Sequence, residues 1–354
     1  MVKKSSKSKI FNTKQILAFV ALIAIAVGLT VLYLGYSAVF KPNINLEEEH
    51  THIYIPTGST YDDVKRIITE MEILRNPETF FWLARQKNYP NLVRAGRYRV
   101  ERGMSNNRLV NILRGGRQAP VRVTFNNIRT KPQLAGALSR NLEADSLQIL
   151  EMLNNAEIAA NFGFDLFTIN LMFIPNTYEF FWNTSAEQLF ERMHVEYQRF
   201  WTEERTNKAI QSGLTPIEIG ILASIIRLET RKRDEMPRMA GVYINRLRRN
   251  IPLQADPTVV FAIGDFSIRR VLRRHLAFES PFNTYLNTGL PPGPISLPEP
   301  YVIDAVLNYE QHNYLFFAAH YDFSGYHIFA RTYAEHRENA RRYHRELNAR
   351  NIMR

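Results

Sequence analysis

From Gln15 to Phe40 the chain carries no charged residue. A stretch of that length is enough to cross a bilayer as one helix. It constrains everything after it, because whatever folds beyond Phe40 is tied to a membrane by its first residues. Lys3, Lys4, Lys7, Lys9 and Lys14 precede the stretch, and Glu47, Glu48 and Glu49 follow it. The lysine-bearing side is therefore expected in the cytoplasm and the body outside. Tyr33, Tyr36 and Phe40 lie toward the far end, where aromatic rings settle at a lipid–water boundary. A cleaved signal peptide is the alternative, but the apolar run is too long for a usual signal core and no clear small-x-small site follows it. The reading is a basic cytoplasmic tail over residues 1–14, a single transmembrane helix over 15–40 and a linker over 41–50. The chain is expected as a single-pass protein of the cytoplasmic (inner) membrane, its N-terminus cytoplasmic and its body external or periplasmic.

Residues 51–118 read as a small α/β unit. Ile53 and Ile55 alternate as a strand, Gly58 turns the chain, and Thr60 with Asp63 caps a helix carrying Val64, Ile67 and Ile68. The order then recurs as Tyr98 and Val100, Gly103, Ser105, and Leu109 with Ile112 and Leu113. Gly58, Thr60 and Val64 map onto Gly103, Ser105 and Leu109 at one constant offset. This predicts two strand–turn–helix units sharing a sheet. They form either a generic packing module or a carbohydrate-binding one, and no aromatic platform for stacking a sugar stands out.

The remaining residues, 119–354, change character. Val121, Val123 and Phe125 alternate as a strand, helical patterns follow near Pro132–Leu142 and Leu147–Leu153, and Phe173–Trp182 is densely aromatic. Leu189–Glu203 reads as an amphipathic helix. The segment from Leu214 to Asp234 opens with a strong helix start: Thr215 caps, Pro216 takes the first helical position and Glu218 completes a capping box. Ile217, Ile219, Ile221, Leu222, Ile225, Ile226 and Leu228 make this helix apolar nearly all round, which predicts burial. Glu229 ends the run, above Leu222, Ile225 and Ile226 by helical spacing. A carboxyl on an apolar stripe keeps its proton to a higher pH, as a general acid near neutrality requires. The alternative is a structural ion pair with Arg231, Lys232 or Arg233.

Beyond it, Pro237 starts a helix burying Val242, Ile244 and Leu247. Asp256 stands in an N-cap place before Pro257, so capping is a sufficient account of it. Glu279–Tyr285 is a polar turn, and Gly289–Ile295 is too rich in Pro and Gly to be regular. Leu315–Phe317 and His327–Phe329 read as strands, and Tyr333–Asn348 as a charged terminal helix. The absence of Cys excludes disulfides, thiolate catalysis and Cys-based zinc sites. No Walker A loop, dinucleotide fingerprint, His-Glu-x-x-His pair or Gly-x-Ser-x-Gly elbow is present, and no cofactor or metal is expected. The net charge of +11 suits an anionic partner such as wall polymer, phospholipid or nucleic acid, and equally serves solubility.

At Leu222–Thr230, Val242–Leu247, Leu253–Thr258, Ser280–Tyr285, Gly289–Ile295 and the Gly325-x-His327-x-Phe329 strand, the chain resembles the YceG-like family, the MltG-type endolytic murein transglycosylases. The resemblance spans about residues 50–345. It implies an α+β protein with a single N-terminal transmembrane helix, a small LysM-like α/β module over 51–118 and a larger mixed α/β catalytic domain over 119–354. It implies Glu229 as catalytic acid and then base, cutting the MurNAc–GlcNAc bond of peptidoglycan glycan strands to leave 1,6-anhydro ends. Gln254, Asn283, Thr284 and Tyr285 are motif residues that either orient sugar hydroxyls or the N-acetyl group or hold the loops around the cleft, and Asp256 is placed to stabilise an oxocarbenium-like transition state. Partners would be nascent glycan strands and wall-synthesis enzymes, with no nucleic acid. Two departures stand out: Arg227 where many members carry a second Glu, and Asn176 in place of the usual Asp. The rival readings are a muramidase-type hydrolase using Asp256 or Glu279 as second carboxylate, and a non-catalytic, membrane-tethered wall-binding scaffold.

Overall fold

A computed structural model describes residues 13–350; most of the basic tail and the last four residues fall outside them. The protein is mixed α+β, and its chain separates into two compact units, one ending at Pro120 and including Phe181–Asn183, the other formed by Val121–Phe180 and the chain from Thr184.

In the first unit, α1 (Thr13–Phe40) buries no residue, and its length and apolar surface are enough to cross a membrane. The small fold that follows pairs β1 (His50–Ile55) antiparallel with β2 (Gly96–Glu101), Ile53 facing Tyr98 and Thr51 facing Val100. Thr60 and Asp63 close a reciprocal capping box on α2 (Tyr61–Glu70), and Ser105 caps α4 (Asn106–Arg114). Between them, Asn76 and Pro77 start α3 (Pro77–Gln86), which the strand–turn–helix repeat did not foretell. Ile53, Ile55, Val64, Tyr98, Val100, Leu109 and Leu113 are fully buried, so the residues that repeat in sequence meet in one core. Part of the stretch read as a linker is built into that core. Ile44 is fully buried, and the Asn43 amide donates to Asn106 Oδ1 at 2.7 Å and to the Asn76 carbonyl at 2.9 Å.

The second unit begins with β3 (Val121–Thr124), which pairs antiparallel with β4 (Thr177–Phe180). The helices α5 (Lys131–Ser139), α6 (Ser146–Leu153) and α7 (Ala156–Asn161) lie between these strands in sequence. The expected amphipathic helix is α8 (Ala186–Phe200), begun by a Ser185–Gln188 capping box, and Thr202 restarts the chain as α9 (Glu203–Ser212). Then come α10 (Pro216–Glu229), α11 (Met236–Arg248), α12 (Asp256–Ile263), the short α13 (Arg273–Leu276) and α14 (Pro300–Leu307). A hairpin of β5 (Phe316–Ala319) and β6 (His327–Ala330) leads to α15 (Tyr333–Ala349).

Helix α10 is the axis of this unit. Every residue from Ile219 to Ile226 is buried, in a core shared with Ala209, Met239, Tyr243, Val302 and Ile303. Burial of so many branched side chains, at about 25 cal/mol per Å² of apolar surface, outweighs any propensity of the isolated helix. Gly241 lets α11 approach closely: a Cβ there would lie 2.3 Å from the Glu310 carbonyl oxygen. The Pro- and Gly-rich segment is tied to α10 through Ser224, whose hydroxyl accepts the Ile295 N–H at 3.0 Å while the Ser296 hydroxyl donates to the Ser224 carbonyl at 3.0 Å.

Candidate active site

The capping box at Thr215 fixes where α10 starts, and its length then fixes where it ends. Glu229 is the last helical residue, and Thr230 turns into extended backbone. This exit is pinned from beyond. The Thr230 hydroxyl accepts the Lys232 N–H at 3.0 Å. The buried Glu235 accepts the backbone N–H and the Nδ1 of His327 at 2.7 and 3.1 Å.

Glu229 Oε1 accepts the hydroxyl of Tyr243 at 2.9 Å. The residue as a whole keeps some solvent exposure, but its carboxyl is enclosed by protein. Burial pushes its pKa up to about 7; the Tyr243 hydrogen bond pulls it down and the nearby Asp256 charge pushes it up. Burial and Glu229 raise the Tyr243 pKa well above its ordinary value, so this phenol remains a donor. The ion pair considered for Glu229 is not formed. Lys232 lies over the Tyr326 ring at 4.4 Å and Arg233 over the Tyr301 ring at 3.9 Å. Arg227 binds Glu299 at 2.5 Å.

Asp256 corrects another expectation. It is the first helical residue of α12, the cap position belongs to Ala255, and no side chain caps this helix. The carboxylate instead accepts the Tyr285 hydroxyl at 2.6 Å. Surrounding protein raises the Asp256 pKa against the lowering effect of that bond.

The other motif residues divide. Gln254 adopts a left-handed backbone, φ 54°, which L-residues other than Asn, Asp or Gly adopt sparingly. Its N–H donates to the Thr284 carbonyl at 3.0 Å, and its Oε1 accepts from Arg246 at 2.6 Å. Asn283 and Thr284 are fully buried. The Asn283 amide donates to the carbonyls of Leu276 and Phe278 at 3.0 and 2.8 Å, and its oxygen accepts the Tyr285 N–H at 2.9 Å. The Thr284 hydroxyl accepts the Ala255 N–H at 3.0 Å and donates to the Thr258 hydroxyl at 2.9 Å, whose own proton goes to the Ala255 carbonyl. These bonds orient Tyr285 and the approach to Asp256, and leave neither Asn283 nor Thr284 facing a ligand.

The space around Glu229 has two arms. One, of about 490 Å³, is lined by Asp256, Pro257, Phe261, Phe266, Arg269 and Arg270. The other, of about 680 Å³, is lined by Asn126, Asn127, Arg227, Arg231, Arg233 and Tyr301. Arg129, Leu228 and Glu229 belong to both, so the carboxyl stands where the arms meet.

Two site residues escaped the sequence reading. Tyr243 and Arg246 lie three apart on α11, on a helix whose neighbouring Val242 and Ile244 are buried. Polar groups set at helical spacing in an apolar segment were the available signal. Buried Arg246 donates to the carbonyls of Pro252 and Leu315 at 2.9 and 3.0 Å as well as to Gln254.

The chain is 26% identical over 308 residues to an endolytic murein transglycosylase of Bacillus subtilis (strain 168), covering 82% of this chain and 84% of the relative. It is 25% identical over 326 residues to an endolytic murein transglycosylase of Streptococcus pneumoniae serotype 2, covering 81% of this chain and 58% of that longer protein. Among solved structures, a yceG-like protein from Listeria monocytogenes matches with a TM-score of 0.53 at 27% identity, over 82% of this chain and 98% of that one. The model of the YceG-like family matches residues 53–342, and the chain belongs to that family.

Proposed function

We propose that this protein is a membrane-anchored lytic transglycosylase that cuts murein strands internally, with Glu229 as the only proton-transferring group. The observation that carries the reading is a carboxyl with a pKa of about 7 at the junction of two open arms. About half of such groups hold a proton at neutral pH, which suits one group serving first as acid and then as base. Tyr243 occupies Oε1, leaving Oε2 to carry the proton.

The strand lies along both arms with its scissile MurNAc–GlcNAc linkage over Glu229. Oε2 gives its proton to the linking oxygen as the bond from C1 breaks. The resulting carboxylate then removes the proton of the C6 hydroxyl on the same MurNAc, and the C6 oxygen closes onto C1. The product end is a 1,6-anhydro sugar; no water is consumed and the acid is regenerated. Asp256, held by Tyr285, offsets the positive charge that develops at C1. Gln254 meets sugar from the exposed edge, while Asn283 and Thr284 act by positioning Tyr285 and Asp256. Helix α1 anchors the chain in the cytoplasmic membrane with its body outside, and residues 51–118 serve as a LysM-like module. A groove of about 540 Å³ lined by Arg99, Asn107, Asn111 and Gln118 supplies that module with hydrogen-bonding groups for sugar hydroxyls. A chain so tethered reaches strands as wall-synthesis enzymes release them.

Because Asp256 lines the same arm as Glu229, hydrolysis with Asp256 as second carboxylate is the competing chemistry. Digestion of purified linear glycan by the full-length protein, with mass spectrometry of the new ends, separates them. Anhydro ends are expected; reducing ends would replace the transglycosylase by a muramidase, and sacculus binding without new ends would leave a scaffold.

A further inference from the structure

The larger arm of the cleft is far more cationic than a neutral sugar chain requires. Arg129, Arg227, Arg231 and Arg233 line it, against Glu299 and the half-protonated Glu229. Arg227 is already neutralised by Glu299. The other three have no carboxylate within 4 Å among the described residues. Arg233 lies over the Tyr301 ring at 3.9 Å and Arg129 over the Phe266 ring at 5.1 Å. Ring stacking orients a guanidinium while leaving its N–H edge unspent. Asn126 and Asn127, which follow β3, add amide groups to the same arm.

We propose that this arm is a subsite for the carboxylates of peptides carried by the glycan strand, so that the protein selects peptide-bearing over bare strands. The inference rests on the transglycosylase reading above. In murein the sugars are neutral apart from free lactyl groups, and the regularly spaced negative charge belongs to peptides attached through those groups. A guanidinium fork pairs with a carboxylate through two parallel hydrogen bonds, and a concave cationic wall focuses its field on such a group. Arg231 and Arg233 lie two and four residues after Glu229 and line the same arm, so a carboxylate held by them belongs to a peptide on a sugar at or beside the scissile bond. Arg231 and Arg233 are specificity residues in this scheme; the proton transfer stays with Glu229.

The test compares kcat/KM of the full-length protein on three glycans of equal length: peptide-bearing strands, strands whose peptide carboxylates are converted to carboxamides, and strands stripped of peptide with the freed lactyl carboxylates also converted to carboxamides. The wild-type protein is expected to prefer the carboxylate form about tenfold over both others at low salt, with the preference shrinking as salt screens it. In the Arg231→Ala/Arg233→Ala protein the three rates are expected to converge. Equal wild-type rates on the three glycans overturn the proposal without needing any variant. Equal rates on carboxylate and carboxamide strands, both above bare glycan, overturn it in favour of uncharged peptide recognition. An unchanged ratio in the double variant assigns the preference elsewhere and overturns it too. Formation of anhydro ends on any of the three reports the cleavage chemistry separately. If none form, the proposed activity fails, and the subsite is read from co-sedimentation of the protein with the same three glycans, where equal binding rejects it.

Discussion

The end of α10 and the start of α12 present the same local pattern, a carboxyl bound to a tyrosine hydroxyl, in opposite helix-end surroundings. Glu229 and Tyr243 are 2.9 Å apart at a helix C-terminus, whereas Asp256 and Tyr285 are 2.6 Å apart at a helix N-terminus. Backbone dipoles disfavour an anion at the first place and favour one at the second. Burial raises both, taking Glu229 to about 7, and in each case the tyrosine hydrogen bond opposes the rise. Pairs of carboxyls whose surroundings separate their proton affinities mark the division of labour in glycoside chemistry. On the proposed mechanism, Glu229 at the end of α10 carries the proton and Asp256 at the start of α12 the charge.

Four measurements break or sharpen that contrast. The largest effect belongs to Glu229→Gln, which keeps the shape and removes the transferable proton. Formation of anhydro ends should fall by about 10³-fold or more, with circular dichroism unchanged. Substantial residual turnover would take the acid away from α10.

Asp256→Asn should be milder, about 10- to 100-fold in kcat, since a charge near the developing cation is lost while the proton path stays. A loss equal to that of Glu229→Gln, together with reducing ends in the wild-type products, would make the two carboxyls equal partners in hydrolysis.

The third concerns stability. Glu229 has its folded-state pKa raised above the unfolded value, so the folded protein holds its proton more tightly. Its ionisation is costly only when folded, and stability falls as pH rises from about 4.5 through 7. Glu229→Gln should therefore be more stable than wild type at pH 8, by at most about 3 kcal/mol, and indistinguishable from it at pH 4. The measurement is chemical unfolding at both values; a variant equally displaced at both pH values would show that the carboxyl is not desolvated.

The smallest effect is a displaced pH profile. The Tyr243 hydroxyl lowers the Glu229 pKa, so Tyr243→Phe should move the basic limb of kcat/KM upward by less than about one unit, with a few-fold change in the plateau. A limb that moves downward would mean that the phenol stabilises the protonated form.

Much of the scaffold was legible because it follows from short-range rules. The repeated Gly, Ser or Thr and apolar positions of the first unit set its turns, caps and buried faces, and Thr215, Pro216 and Glu218 fixed the start of α10. Helix α3 was missed since its start at Asn76 and Pro77 has no counterpart in the other half of the repeat. The site was legible only in part. Asp256 before Pro257 carried a capping pattern, yet the helix begins at Asp256 itself with Ala255 in the cap place, and its carboxylate accepts the Tyr285 hydroxyl instead. For Asn283 and Thr284 the sequence left open whether they meet sugar or hold the loop; the turn folds inward and uses them on Leu276, Phe278, Ala255 and Thr258.

By itself the sequence determined a membrane-length helix, a two-part body beyond it, and a carboxyl ending an apolar helix. Periodicity, caps and charge are local properties that any segment displays without its neighbours. The tertiary structure alone decided which hydroxyl meets Glu229, where the nearest cations turn, and that the carboxyl stands between two arms of one cleft. Those depend on distances between segments far apart in the chain, and the desolvation that sets a proton affinity is a property of everything packed around the group.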